Sequence, residues 1–171
     1  MKAELTHTSS LDLETKKIKI HNDQQVAKQP QYTMKTPEKK FAHKHIMLID
    51  DNDLDNFINE KLMQIHHYSE KIYVHTSAIS ALEFLKNLTN MDDKWKELAP
   101  EVIYIDINMP IIDGFQFIEL FKKTFEGMIP MPRLIILTSS LYLEDKEKAA
   151  EISNDIVFLN KPLSGEALEE L

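Results

Sequence analysis

Cysteine is absent from this sequence, glycine occurs only three times and tryptophan once. Without cysteine there is no disulfide framework, no thiolate metal site and no cysteine nucleophile. No apolar run reaches the roughly 18 residues that a membrane-spanning helix needs, and the N-terminus lacks the apolar stretch and small residues of a secretory signal. We therefore expect a cytoplasmic protein with no membrane insertion.

Charge is unevenly distributed along the chain. Residues 1–45 contain nine Lys and Arg against five Asp and Glu, whereas residues 46–171 contain eleven against twenty-three. The second part therefore has a formal charge of −12, and such an acidic domain repels the phosphates of nucleic acids. No helix-turn-helix or similar motif accompanies it, so no direct nucleic-acid binding is expected.

The first 43 residues form a polar segment without glycine, and their composition predicts that the segment is mostly disordered. Aliphatic residues alternate in one ten-residue window of this segment, at Leu11, Leu13, Ile18 and Ile20. That spacing also permits a strand or hairpin that pairs with a partner or a sheet edge. The folded domain is predicted over residues 44–171.

From residue 46 onward, short apolar runs alternate with segments of helical periodicity, a pattern typical of repeated βα units in a parallel sheet. Right-handed crossovers then give an α/β fold with a doubly wound five-stranded parallel sheet of order 2-1-3-4-5 and helices on both faces. The predicted strands cover residues 46–50, 71–75, 102–106, 133–138 and 156–159.

Five helices are predicted between and after these strands from apolar residues at helical spacing. Asn52 or Asp53 is expected to cap the first, Ser77 the second and Ser164 the fifth. The fourth, over residues 142–152, is charged and only weakly apolar. The apolar positions of the first three are Leu54, Phe57, Ile58, Leu62 and Ile65; Ala78, Leu82, Leu85 and Leu88; and Phe115, Ile118, Phe121 and Phe125.

Three aspartates stand at the ends of two predicted strands, Asp50 and Asp51 at the first and Asp106 at the third. In the predicted order these strands are neighbours, and the carboxyl ends of parallel strands form the crevice where ligands bind. Three carboxylates in one crevice repel each other unless a cation joins them. Mg²⁺ takes oxygen ligands and keeps waters that a phosphate can replace, so the sequence predicts a phosphate-handling site.

Taken in order, the motifs of residues 46–171 resemble those of the receiver domain of two-component response regulators. The resemblance implies a flavodoxin-like (CheY-like) fold and a phosphoacceptor that is not a classical enzyme but assists its own phosphorylation and dephosphorylation. Its partners would be a histidine kinase or histidine phosphotransfer protein and a downstream protein that remains unidentified. The motifs are Asp50-Asp51, Asp106-Ile107-Asn108-Met109-Pro110 with Asp113-Gly114, Leu137-Thr138-Ser139, and Lys161-Pro162.

The resemblance also implies a role for each acidic residue. Asp106 is expected to accept the phosphoryl group, since a carboxylate is a competent nucleophile for an acyl phosphate. Mg²⁺ is expected to be bound by Asp51 and Asp106, by the backbone carbonyl of Asn108 and, through water, by Asp50. Without the cation the anionic nucleophile and the anionic phosphoryl group would repel each other.

The remaining expected site residues follow the fourth and fifth strands. Lys161 is expected to pair with a phosphoryl oxygen, and the bond to the following proline is expected to be cis. Thr138 would donate its hydroxyl to the phosphoryl group, with Ser139 or Ser140 as the donor if the strand is shifted. Phe158 would turn inward as Thr138 moves, so that the face of the fourth helix, fifth strand and fifth helix carries the signal; a plain core position is the alternative.

Two further residues have structural interpretations. Asp113-Gly114 is interpreted as the turn that restarts the chain as the third predicted helix, because glycine tolerates positive φ. Trp95 lies in a charged connection before the third strand and is interpreted as a surface contact or a staple at a helix end.

Two other functions are possible for this pattern. A haloacid-dehalogenase-type phosphatase also uses a strand-end Asp and Mg²⁺, but it needs a second Asp two residues later, where this sequence has Asn108. A phosphorylation-independent interaction module would keep the fold without any need for crowded carboxylates. Because no output domain follows residue 171, we expect a stand-alone receiver that docks to a partner or relays the phosphoryl group.

Overall fold

The computed structural model describes residues 40–91 and 94–171. The expected disordered segment of residues 1–43, or a pairing strand within it, falls mostly on residues 1–39, which lie outside these ranges. None of the helices in the described ranges is long and apolar enough to cross a membrane.

Five strands and six helices follow one another along the described residues. The strands are β1 (His43–Ile49), β2 (Ser69–His75), β3 (Val102–Ile105), β4 (Arg133–Thr138) and β5 (Val157–Asn160). The helices are α1 (Asp53–Ile65), α2 (Ala78–Thr89), α3 (Lys94–Leu98), α4 (Gly114–Thr124), α5 (Leu143–Ile152) and α6 (Gly165–Glu169).

The five strands form one parallel sheet in the order β2-β1-β3-β4-β5, which confirms the predicted order. In the pairing of β1 with β3, Ile49 lies opposite Ile105. The backbone N–H of Asp106 continues this pairing by donating to the carbonyl of Ile49 at 2.9 Å. The residues that follow the two strands, Asp50 and Asp106, therefore lie side by side at the carboxyl edge of the sheet.

Buried apolar layers cover both faces of the sheet, as predicted. Alternate residues of each strand face opposite layers, so that the central strands are apolar on both sides. One layer joins Met47 and Ile103 to helices α2, α4 and α5. The other joins Leu48 and Tyr104 to helices α1 and α6.

Helix α1 buries a different face from the one that its apolar spacing suggests. It begins after Asn52, whose side chain accepts the N–H groups of Leu54 and Asp55, so Asn52 rather than Asp53 is the cap. Its buried residues are Asn56, Asn59 and Met63, and the amide of Asn56 donates to the carbonyl of Asp50 at 2.7 Å. Four of the five apolar residues used to predict this helix are instead exposed: Leu54, Phe57, Ile58 and Ile65.

Helix α3 was not predicted, and its tryptophan, Trp95, is buried in the core. Trp95 is only 4% exposed, so the interpretation as a surface contact is wrong. Its indole N–H donates to the carbonyl of Pro130 at 3.0 Å, and its ring stacks on Phe125 with centroids 5.4 Å apart. Trp95 thereby joins the connection before β3 to the connection before β4, at the edge of the sheet opposite the aspartates.

Candidate functional site

Three predicted acidic residues converge at the carboxyl edge of β1 and β3. Asp50, Asp51 and Asp106 each offer one carboxylate oxygen, and these oxygens all lie within 4.8 Å of one another. Asp50 and Asp106 are each 5% exposed, whereas Asp51 is exposed. The cluster has the oxygen-only donor set that a hard divalent cation prefers, and its open side is the side of Asp51.

Backbone groups fix the orientation of the two buried carboxylates. The N–H of Asn52 donates to Asp50 Oδ1, and the N–H of Asn108 donates to Asp106 Oδ2, both at 2.9 Å. Asp106 Oδ1 is buried and has no hydrogen-bond partner among the described residues. A buried carboxylate oxygen without a donor is costly unless a cation or a new covalent bond compensates it, so this atom suits both a metal ligand and a nucleophile.

Lys161 brings a positive charge into the cluster from the end of β5. Its Nζ lies 2.6 Å from Asp50 Oδ2, 2.9 Å from Asp55 Oδ2 and 3.3 Å from Asp106 Oδ1. The side chain is 12% exposed. The Lys161–Pro162 bond is cis, as expected, and the backbone N–H of Lys161 donates to the carbonyl of Thr138 at 2.8 Å.

Asp55 is the site residue that the sequence did not reveal. It lies in the first turn of α1, where an acidic residue is ordinarily explained by the positive end of the helix dipole. Only the fold shows that this turn of α1 lies beside the end of β5. Its contact with Lys161 adds a fourth carboxylate to the three predicted ones.

Burial and pairing shift the ionisation of the site in defined directions. Burial raises the pKa of Asp50 above its usual value, and the hydrogen bond from Lys161 offsets only part of this effect. For Lys161, burial alone would lower the pKa, but the contacts with Asp50, Asp55 and Asp106 outweigh burial and raise it. Lys161 is therefore a fixed cation throughout the physiological pH range.

The three candidate hydroxyls at the end of β4 have different surroundings. The strand ends at Thr138, as predicted, and Thr138 is fully buried, with its Oγ1 accepting the N–H of Ser140 at 3.2 Å. The hydroxyl of Ser140 donates to the carboxylate of Asp145, while Ser139 is exposed. The Ser140 hydroxyl therefore already has an acceptor, whereas the hydroxyls of Thr138 and Ser139 donate to no group among the described residues.

Phe158 lies on β5, away from the carboxylates. It is half-buried against the layer formed with α2, α4 and α5, and Lys146 Nζ lies 5.5 Å from its ring centroid. The ring thus contacts α5, which begins five residues after Thr138.

Gly114 is required for a close approach, not for a positive φ. Asp113 caps α4 through a reciprocal capping box with Gln116, and Gly114 is the first residue of the helix. A Cβ on Gly114 would lie 2.4 Å from the carbonyl oxygen of Asp106 and 2.9 Å from Ile107 Cα. Among the described glycines only Gly127 has a positive φ, so the expected positive φ of Gly114 is wrong, and the glycine instead lets α4 start against the loop that carries Asp106.

The site and fold place the chain in a known family. The family model of the response regulator receiver domain matches residues 46–171, and the chain belongs to this family of two-component signalling proteins. Receiver domains bind Mg²⁺ at an acidic pocket and interact with histidine kinases and phosphotransfer proteins.

Individual relatives agree with this assignment. The sensor histidine kinase CheAY of Helicobacter pylori is 31% identical over 72% of this chain, and protein PilG of Pseudomonas aeruginosa is 29% identical over 72%. The chain spans 14% of the length of the Helicobacter protein and 80% of PilG. The crystal structure of a two component response regulator from Cytophaga hutchinsonii superposes with a TM-score of 0.66 at 35% identity, covering 77% of this chain and 94% of that one.

Proposed function

We propose that this protein is a phosphoacceptor of a two-component pathway and that Asp106 receives a phosphoryl group from a phosphohistidine of a histidine kinase or phosphotransfer protein. The observation that carries the proposal is the buried Oδ1 of Asp106. It has no hydrogen-bond donor among the described residues, yet it lies 3.3 Å from a fixed ammonium group. An oxygen in this setting has no hydrogen bond to break before it attacks, and it is adjacent to the charge that would receive a phosphoryl oxygen.

The proposed transfer needs few protein groups. Asp106 Oδ1 attacks the phosphorus, and a P–O bond forms as the P–N bond of the phosphohistidine breaks. The electron pair of the P–N bond goes to the imidazole nitrogen, and the leaving imidazole takes up a proton from solvent. The N–H of Asn108 holds the other carboxylate oxygen in place. The ammonium of Lys161 pairs with a phosphoryl oxygen, and the Thr138 hydroxyl donates to another.

The carboxylate cluster fits Mg²⁺ by its oxygen donors and their mutual distances. Asp51, Asp106 and the backbone carbonyl of Asn108 would hold the ion, with Asp50 contributing through water. The bound ion would supply positive charge between the anionic nucleophile and the anionic phosphoryl group.

We propose that the signal leaves through α5, β5 and α6. Thr138 pairs with Asn160 of β5 in the sheet register, and Ile136 pairs with Phe158, so a shift of Thr138 toward a phosphoryl group would act directly on the strand that carries the Phe158 ring. Three exposed apolar residues at the start of α5 form a hydrophobic surface on this face that a partner protein could bury. They are Leu141, Tyr142 and Leu143.

Intact-mass spectrometry after incubation with acetyl phosphate and Mg²⁺ tests the proposal. We expect a single phosphoryl adduct on the wild type, none on Asp106→Asn and none when the metal is chelated. Asp53→Asn is the matched control, because Asp53 is an exposed acid near the site without a proposed role. An adduct that persists in Asp106→Asn would contradict the assignment, and a wild type that neither acetyl phosphate nor a phosphohistidine donor can load would favour the phosphorylation-independent module.

A further inference from the structure

Asp55 is a carboxylate at the site that the proposed phosphoryl transfer does not use. An ammonium group has three N–H donors, and in this site Lys161 makes its two short contacts with Asp50 and Asp55, at 2.6 and 2.9 Å. Its distance to Asp106 Oδ1 is 3.3 Å, and that oxygen accepts no hydrogen bond from it. Lys161 is therefore held more closely by Asp50 and Asp55 than by Asp106.

The position of Asp55 also affects the approach of a phosphoryl donor. Together with Ser139, Lys161 and Pro162 it lines a groove of about 270 Å³ beside the site. Phosphorylation adds negative charge to Asp106, and Asp55 and Asp106 both contact the same ammonium nitrogen. Like charges at such short separation repel each other appreciably even near a protein surface.

We propose that Asp55 is a positioning residue for Lys161 that restrains its ammonium from Asp106 and so opposes phosphoryl loading. The inference rests on the proposed function and adds a regulatory element to it. In the unphosphorylated protein Asp55 competes with Asp106 for Lys161. Once the phosphoryl group is attached, Lys161 must turn from Asp55 toward a phosphoryl oxygen, and the lost contact lowers the equilibrium fraction phosphorylated.

The first test compares initial rates of adduct formation with acetyl phosphate and Mg²⁺ by intact mass. Asp55→Asn removes the charge at nearly constant shape and is expected to accelerate loading about threefold. Asp55→Glu keeps the charge and is expected to remain near the wild-type rate. Asp53→Asn, in the same helical turn but without a contact to Lys161, is the control and should leave the rate unchanged. Equal or slower loading of Asp55→Asn than of the wild type would overturn the inference.

A second test does not depend on phosphorylation. A double-mutant cycle of Asp55→Asn with Lys161→Met, measured by urea unfolding in a chelator, reports whether the two side chains are energetically coupled. We expect non-additive changes for this pair and additive changes for Asp53→Asn with Lys161→Met. Additivity in both cycles would show that Asp55 does not hold Lys161.

The two tests separate this inference from the proposed function. If the wild type forms no adduct, the proposed function fails, and the cycle alone decides whether Asp55 positions Lys161. If the wild type is phosphorylated at Asp106 but Asp55→Asn behaves like it, the proposed function stands and the inference about Asp55 is wrong.

Discussion

Lys161 Nζ lies 2.6 Å from Asp50 Oδ2, although the two residues follow strands that are separated in the sheet by β3 and β4. The ion pair thus spans the carboxyl edge of the sheet over the end of β3, where Asp106 lies. Both side chains are largely buried, so that each charge depends on the other for compensation. The ion pair of Lys161 with Asp50 therefore contributes to the stability of the fold and is also part of the candidate site.

Replacement of Lys161 by methionine is expected to destabilise the protein by about 3 kcal/mol in the absence of divalent cations, because Asp50 and Asp106 would be left as buried, uncompensated carboxylates. Urea unfolding in a chelator measures the change. Lys86→Met, at an exposed position of α2, is the matched control and should cost much less. A Lys161→Met protein as stable as this control would show that the buried acids are neutral in the folded state.

Addition of Mg²⁺ is expected to raise the midpoint of thermal unfolding, because a cation that binds only the folded carboxylate cluster stabilises it by mass action. Asp51→Asn should abolish most of the rise, and since Asp51 is exposed this variant should still fold. Differential scanning calorimetry against KCl of equal ionic strength separates binding from charge screening. The same rise in both salts would argue against a specific site.

The strands of the sheet could be predicted because each one is marked by a short apolar run in the sequence itself. Apolar runs such as Ile46–Ile49 and Val102–Ile105 are buried on both faces, and such runs distinguish central parallel strands from surface segments. Once the order was inferred, the neighbourhood of Asp50 and Asp106 followed from topology alone. The cis bond before Pro162 was expected from the family resemblance and is present.

Other features depend on contacts between distant parts of the chain, and local patterns could not reveal them. The spacing of Leu54 and Ile65 predicted helix α1 but not which face is buried, because the buried amide of Asn56 is needed to bind the carbonyl of Asp50. The contact of Asp55 with Lys161 joins residues 106 positions apart. The buried Trp95 contacts Pro130 and Phe125, which lie more than 25 residues further along the chain.

Alkaline pH is expected to unfold the protein through its buried tyrosines. Burial raises the pKa of Tyr104 and of Tyr68, and the hydroxyl of Tyr104 donates to that of Tyr68 at 2.9 Å. The unfolded chain loses these phenolic protons near pH 10 while the folded chain retains them, so the unfolding free energy should fall as pH rises above about 10.

Urea unfolding at several alkaline pH values, with phenolate absorbance recorded in parallel, measures this dependence. Tyr104→Phe should reduce the slope of the unfolding free energy against pH, because one proton fewer is released on unfolding. Tyr142→Phe is the matched control, since Tyr142 is exposed and should leave the slope unchanged. Equal slopes for Tyr104→Phe and the wild type would mean that Tyr104 ionises in the folded protein.

Gly114→Ala is expected to affect both stability and phosphorylation, because its Cβ would lie 2.4 Å from the carbonyl oxygen of Asp106. Backbone atoms cannot rotate away, so either α4 or the loop that carries Asp106 must shift, at a cost of about 1–3 kcal/mol. Gly165→Ala is an informative control: its Cβ would meet the ring of His66 at 2.4 Å, but a side chain can move aside.

Urea unfolding and adduct formation with acetyl phosphate are measured on both variants. We expect Gly114→Ala to lose stability and to load more slowly even where it is fully folded, whereas Gly165→Ala should load normally. The difference follows from what each glycine faces, since of the two only Gly114 adjoins the backbone of Asp106. Wild-type loading by folded Gly114→Ala would show that the position of Asp106 does not depend on the start of α4.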